Sequence, residues 1–296
     1  MTGSVGMSLR GVGLGWRPQL QAAVARAAVA FVEVIAENVD PRRLPSDLER
    51  LRDRGVVIVP HGVGLSLGGA ERPQSRRLDH LAALAERLGA PLVSEHIAFV
   101  RAGGMQAGHL LPVARTAEAL EILCENVALA QKQLPVPLAL EHIAALVEWP
   151  GNELDEVTFL RELIDRTGAR LVLDVSNLYA NAHNHGYDAR AALARLPLTH
   201  IACVHVGGGV HRDGRYHDTH ADPVVPAVLR LVEELFLHVE APGVLLERDD
   251  DFPSDAELLG ELDAIAGAAA RGRSRRAAAA HRPRQERAPR AAGRAR

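Results

Sequence analysis

Eight short, β-branched apolar runs alternate with longer helical patterns along this chain. The runs are 11–16, 31–37, 56–61, 92–98, 137–142, 170–175, 200–206 and 243–248. Helical periodicity lies between and after them, near 18–29, 41–54, 74–89, 113–133, 153–168, 188–195, 224–238 and 254–270. Strand–helix units in unbroken succession predict a parallel sheet with right-handed crossovers. Eight is the number that closes a (β/α)8 barrel, so a TIM-like barrel is the expected fold. An open doubly wound sheet is the alternative, but it normally carries a glycine-rich nucleotide-binding turn. The pieces GVGLG near the start and GGGV after the seventh run lack that form and read as tight turns.

Seven of the eight runs end, or are immediately followed, at a histidine or carboxylate: Glu37, His61, Glu95 with His96, Glu141 with His142, Asp174, His205 and Glu247. In a barrel this places metal-type ligands at the C-terminal ends of the strands, the face on which barrel active sites are built. Taken singly, His61 or His96 reads as a satisfied core histidine. Glu141 and Asp174 close the apolar runs LAL and RLVL, where an unpaired carboxylate is costly. A buried ion pair with arginine would answer that cost. The recurrence of His205 and Glu247 at equivalent places favours metal. In the loop HRDGRYHDTHADP, Asp218 and His220 stand two residues apart on one extended face, whereas His211 and His217 read as solvent-facing. The stretch DVSNLYANAHNHGYD adds Asn177, His183, Asn184 and His185, as site lining or as caps of a following helix. Imidazole and carboxylate without thiolate suit Fe, Mn or catalytic Zn. Eight ligands exceed the needs of one ion, and Glu141 is placed to bridge two.

Composition narrows the function. The chain has 296 residues and a formal net charge of −3. From Arg271 onward there are ten arginines and one acid, Glu286, so the tail carries +9 and the preceding body −12. The acidic body argues against a nucleic-acid partner. Residues 1–270 are therefore read as the barrel domain and 271–296 as a disordered Arg/Ala-rich tail. Lys132, on a helix, is the single lysine, which removes Schiff-base aldolases. Cys124 and Cys203 are far apart and read as buried thiols. No signal peptide and no membrane span are visible, which points to the cytoplasm.

The pieces GVGLGWRP, HGVGLSLGG, SEHIAF, LLPV, LEH, LDVSNLYANAHNHGYD, VHVGGG, DTHADPV and LLERDDDFP together carry a family resemblance from about Gly11 to about Leu262. The chain resembles the multinuclear non-heme iron-dependent oxidative enzymes, a bacterial family that includes the methanobactin-type peptide-modifying oxidases. The resemblance implies a TIM-like barrel holding two or three iron ions in a mixed-valent Fe(II)/Fe(III) state. Dioxygen would be the co-substrate and a ribosomally made precursor peptide the substrate, often modified at cysteine. A small partner protein would present the peptide. By motif, the metal ligands would be His61, His96, Glu141, Asp174, His205, Asp218, His220 and Glu247. Among these, Glu141, Asp174 and His205 would be catalytic. Asn177 and His185 would form a second tier.

Four departures from the family pattern stand out. His142 replaces an asparagine, Gly209 and Asp222 occupy positions where histidine is usual, and Arg248 replaces a tryptophan. Those at 209 and 222 predict a two-iron core with a weak third position. Three other readings remain: a divalent-metal sugar isomerase or epimerase, a trinuclear zinc endonuclease of the same barrel type, and a non-catalytic metal-binding scaffold.

Overall fold

The structure, a computed structural model, describes residues 9–240 and 242–281. Its strands are β1 (Val12–Gly15), β2 (Phe31–Ile35), β3 (Val57–Gly62), β4 (Val93–His96), β5 (Ala98–Ala102), β6 (Met105–Pro112), β7 (Leu138–Glu141), β8 (Arg170–Asp174), β9 (Ile201–Val206), β10 (Gly209–Arg212), β11 (Arg215–Asp218) and β12 (Gly243–Leu246). Its helices are α1 (Gln21–Arg26), α2 (Ser46–Asp53), α3 (Ser75–Leu88), α4 (Ala117–Gln133), α5 (Glu156–Thr167), α6 (Val175–His185), α7 (Ala189–Arg195), α8 (Pro226–His238) and α9 (Asp255–Ala280). Eight strands close a parallel barrel in the order β1-β12-β9-β8-β7-β4-β3-β2, as the alternation of the sequence requires. Each apolar run of the sequence supplies one of them.

Strand side chains alternate between the barrel interior and the helix layer with period two. The inward positions form a small core of Leu9, Phe31, Val59, Leu92, Ala139, Val172, Ala202, Cys203 and Leu245. The outward positions, such as Val32, Ile58, Leu140, Leu173 and Val204, pack with the helices in the larger core. Two residues beyond Val59, Ala139, Val172, Cys203 and Leu245 stand His61, Glu141, Asp174, His205 and Glu247, facing the same interior one layer higher. The apolar layer thus plugs the barrel below and the polar layer opens at its C-terminal mouth.

Two antiparallel hairpins, β5–β6 and β10–β11, are inserted after β4 and β9. The sequence reading did not anticipate them, because their alternating polar residues resemble loop composition. It also left α6 open between site lining and caps. This helix begins at Asp174, whose carboxylate accepts from the Asn177 backbone N–H. An N-cap hydrogen bond of this kind offsets the poor helix propensity of the Asn- and His-rich run that follows.

The boundary at residue 270 needs correction. α9 continues through the first arginines to Ala280. Arg271 and Arg275 both pair with Glu233 of α8, each at 2.9 Å. Gly272 lies so close to α8 that a Cβ would come within 2.3 Å of the Glu233 carbonyl oxygen. Alanine and arginine are strong helix formers, so the segment needs no apolar stripe to extend an existing helix. The remainder of the tail, 282–296, lies outside the described residues. Among the described residues no helix is long and apolar enough to cross a membrane.

Candidate metal centre

The eight ligand-type residues meet at the barrel mouth in three overlapping sets. His61, His96 and Glu141 form the first, Glu141, Asp174, His205 and Glu247 the second, and Asp174, Asp218 and His220 the third. Within each set one ligand atom per residue lies within 4.8 Å of the others. Glu141 and Asp174 are each shared, so the sets form a row. The two oxygens of Glu141 divide between neighbours. Oε2 is 3.7 Å from His61 Nε2 and 3.8 Å from His96 Nε2, while Oε1 is 3.4 Å from His205 Nδ1. Asp174 divides its work as well, since one oxygen caps α6 and Oδ2 is free. Five of the eight ligands stand within one residue of the C-terminal ends of barrel strands β3, β7, β8, β9 and β12. His96 ends β4, and Asp218 and His220 come from the end of β10–β11 and the loop beyond.

The donor atoms fit cations. His61 Nδ1 contacts Ser94 Oγ at 2.8 Å, and His96 Nδ1 contacts the Gly62 carbonyl at 3.2 Å. Both Nε2 atoms then face each other at 3.3 Å, a repulsive pairing of lone pairs unless a proton or cation lies between them. Glu141 Oε2, Asp174 Oδ2, Asp218 Oδ1 and both His205 nitrogens are buried without a hydrogen-bond partner among the described residues. Unpaired buried polar atoms are costly, and a divalent ion satisfies several at once. The set contains nitrogen and oxygen donors only, which suits iron, manganese or catalytic zinc.

Charge tells the same story. Burial, with Asp218, Glu141 and Glu247 close by, raises the Asp174 carboxyl to about 7. Burial likewise carries Glu247 to about 7 against the pull of His205 and His220. Burial disfavours the imidazolium of His96, but Glu95, Glu141 and Glu247 outweigh it and raise the group to about 9. His205 and His220 are also held well above the usual histidine range, against the effect of burial, by the carboxylates around them. Without metal the carboxylates are balanced by protons on imidazoles. A cation would displace those protons.

A cavity of about 280 Å³ opens over the row. His61, His96, Glu141, Asp218, His220 and Glu247 line it, with His109 and Leu110 of β6 as part of its wall. His109 was missed in the sequence, for it lies in the unanticipated hairpin. Asn177 also lines this cavity and donates to the His142 carbonyl at 2.9 Å. His185 does not reach the row. It contacts the Ala145 carbonyl at 2.7 Å and lines a separate small pocket with His142. His211 and His217 stand on the β10–β11 hairpin, outside the sets.

The weak third position assigned to residues 209 and 222 also needs correction. A Cβ on Gly209 would lie 2.2 Å from the His217 carbonyl and 2.9 Å from the Tyr216 ring, so the residue faces the hairpin. Asp222 accepts from Thr219 Oγ1 at 2.6 Å. The third set is built instead from Asp174, Asp218 and His220. His220 has a left-handed backbone, φ 52, and its carbonyl accepts from the Asp249 N–H at 2.8 Å. Gly207 leaves room for its ring, since a Cβ there would come within 2.4 Å of it.

Three acids outside the sets, the buried Glu33, the half-buried Glu261 and the exposed Asp249, were not singled out from the sequence. Glu33 lies 3.3 Å from His205 Nε2 and 3.7 Å from His61 Nδ1. Asp249 lies 3.3 Å from His220 Nδ1 and pairs with Arg17. Glu261 holds the buried Arg248 at 3.1 Å and so ties the segment after β12 to α9.

The family described as RiPP precursor modification enzyme MbnB/TglH/ChrH, named for ribosomally synthesised, post-translationally modified peptides, matches residues 11–270. The chain belongs to that family. A "UPF0276 protein" of Streptomyces avermitilis is 56% identical over 263 residues, covering 86% of this chain and 54% of the relative. This chain thus spans about half the length of that relative. A "UPF0276 protein" of Rhizorhabdus wittichii is 40% identical over 258 residues, covering 86% of this chain and 91% of the relative. Among solved structures, an L-ribulose 3-epimerase superimposes with a TM-score of 0.61 at 15% identity, covering 94% of this chain and 100% of that one. That likeness is one of fold. The family match and the barrel likeness thus cover the same residues that build the site.

Proposed function

We propose that this enzyme oxidatively modifies a residue, cysteine foremost, in a ribosomally made precursor peptide, using iron and dioxygen. The observation that carries the reading is the row of three thiolate-free ligand sets, joined by Glu141 and Asp174, at the mouth of a barrel of this family. The row supports three cation positions, with the one at Asp174, Asp218 and His220 the weakest because His220 is the most exposed of these ligand side chains. Iron held there in a mixed-valent Fe(II)/Fe(III) state would supply redox chemistry toward dioxygen and a Lewis acid for a substrate thiolate.

The chain's own groups prepare the site. His61 and His96 keep their Nδ1 atoms on Ser94 and Gly62 and turn Nε2 inward. Asp249 faces His220 Nδ1 and leaves Nε2 toward Asp218, 2.7 Å away. The cavity, about 280 Å³, has room for one side chain of a peptide. Leu146, Val147 and Trp149, exposed large apolar residues on the loop after β7, offer a surface for the peptide or a small presenting protein. The two free cysteines accord with a reducing cytoplasm.

The test is to express the chain with iron, count metals, and follow oxygen consumption and peptide mass with cysteine-containing candidate precursor peptides. Two or more irons per chain and iron-dependent mass change are expected. A single zinc with no oxygen uptake would overturn the reading.

A further inference from the structure

We propose that Glu33 is a positioning residue that aims two imidazoles belonging to different cation sets, His61 of the first and His205 of the second. The inference rests on the metal reading above and deepens it.

Glu33 occupies the wrong layer for a ligand. Its partner in register on β3 is Val59, whereas Ile35 pairs with His61. It therefore sits level with the apolar plug, 4% exposed, where a carboxylate is costly unless its oxygens are used. One of them, Oε2, accepts a hydrogen bond on one side and stands as a charge against an imidazole on the other. Oε2 accepts from Ser94 Oγ at 3.2 Å, and Ser94 Oγ in turn contacts His61 Nδ1 at 2.8 Å. Oε2 also lies 3.3 Å from His205 Nε2.

The chemistry of imidazole makes this arrangement directive. A carboxylate below the ring favours the tautomer with its proton on the lower nitrogen, leaving the upper lone pair for a cation. For His61 the upper atom is Nε2, toward His96 and Glu141. For His205 it is Nδ1, 3.4 Å from Glu141 and 3.5 Å from Glu247. One buried carboxylate thus sets ring orientation in two neighbouring sets. The third set is oriented separately, by Asp249 at His220 Nδ1.

The division can be read with Mn2+ as probe, by stoichiometry and by the imidazole nitrogen couplings in pulsed EPR. Glu33→Gln keeps the volume and removes the charge. It should weaken two of the three positions by about 10–100-fold while one ion, bound through a single imidazole, remains. Adding Asp218→Asn should remove that last ion. Ser94→Ala should weaken only the first position, and Asp249→Asn only the third. Unchanged affinity in Glu33→Gln beside a wild-type chain that loads normally overturns this inference alone. Loss of all three positions together with a lowered melting temperature makes Glu33 merely structural and also overturns it. If Glu33→Gln does not fold, Ser94→Ala decides, and unaltered binding there counts against the relay. A wild-type chain that takes up no Mn2+ or Fe2+ overturns the parent reading and the inference with it.

Discussion

Two layers of the same barrel interior stand one strand repeat apart and obey opposite rules. In the lower layer Phe31, Val59, Ala139, Val172, Cys203 and Leu245 are packed against one another and almost wholly buried. Phe31 lies so close to Gly13 and Gly243 that a Cβ on either would come within 2.6 Å of its ring. In the upper layer His61, Glu141, Asp174, His205 and Glu247 are equally buried, at 5% exposure or less, yet several of their polar atoms lack partners. The plug contributes stability through apolar burial. The mouth costs stability, a cost that bound cations would lower. Depth alone therefore does not say what a buried position does for a protein.

Glu141→Ala should break the comparison most severely, because it removes a ligand from two sets. Metal content should fall by at least two ions per chain and peptide-dependent oxygen uptake by more than about 100-fold, since losing a residue that only orients a ligand already costs about 10–100-fold. Full metal content in this variant would refute the shared role of Glu141. Phe31→Ala attacks the plug. It should lower stability by about 3–5 kcal/mol in denaturant titration, with an unaltered metal-to-chain ratio in the fraction that folds.

Asp174→Asn sharpens the contrast by giving opposite signs for stability and function. It should abolish the second and third positions, yet raise the melting temperature of the metal-free protein at pH 8 by on the order of 5 °C. The neutral amide escapes the repulsion that raises Asp174 to about 7. A lowered melting temperature of the metal-free variant would show that its cap on α6 outweighs that repulsion.

The effect of pH follows from the raised groups. His96 titrates at about 9 in the fold against 6.5 for the free group. Its contribution is full below about pH 6.5 and is lost as pH rises through about 9. His205 and His220 are raised in the same sense. The metal-free protein should lose melting temperature between pH 7 and pH 9.5, and Mn2+ should flatten the slope because it replaces the protons. The lowered Glu141 acts only in acid, where its contribution is lost. A metal-free protein whose stability does not change over that range would contradict the charge balance described for the mouth.

The smallest effect is expected at the chain's end. Ending the chain at residue 270 removes the seat of Gly272 and the pairs to Glu233 and should lower the melting temperature by roughly 2–4 °C, given that exposed pairs contribute about 0–1 kcal/mol each. Ending it at residue 281 should change nothing measurable by calorimetry.

The upper layer was legible in the sequence because each ligand-type residue closes an apolar run, and a run of alternating burial advertises its own last residue. Glu33 was not legible for the same reason: it lies inside FVEVIAE, where Glu37 at the end drew the attention. Glu37 instead stays outside the sets, accepting from the Val63 N–H at 3.1 Å. Positions 209 and 222 misled because absence of an imidazole was read as loss of a ligand, whereas Gly209 faces the β10–β11 hairpin and the Asp222 carboxylate is engaged by Thr219. The helical extension of α9 was hidden by the assumption that order requires apolar periodicity. Propensity and one close glycine contact were enough.

The sharing of Glu141 and Asp174 gives the row two unlike ends. One end, at His61, is 2% exposed in its side chain, and the other, at His220, is 18% exposed. If cations fill the row as proposed, scarcity should empty it like a stack rather than a pool. The outermost ion leaves first and returns last, so a half-starved population should be uniformly short of the same ion, and activity should track the supply of the last one in.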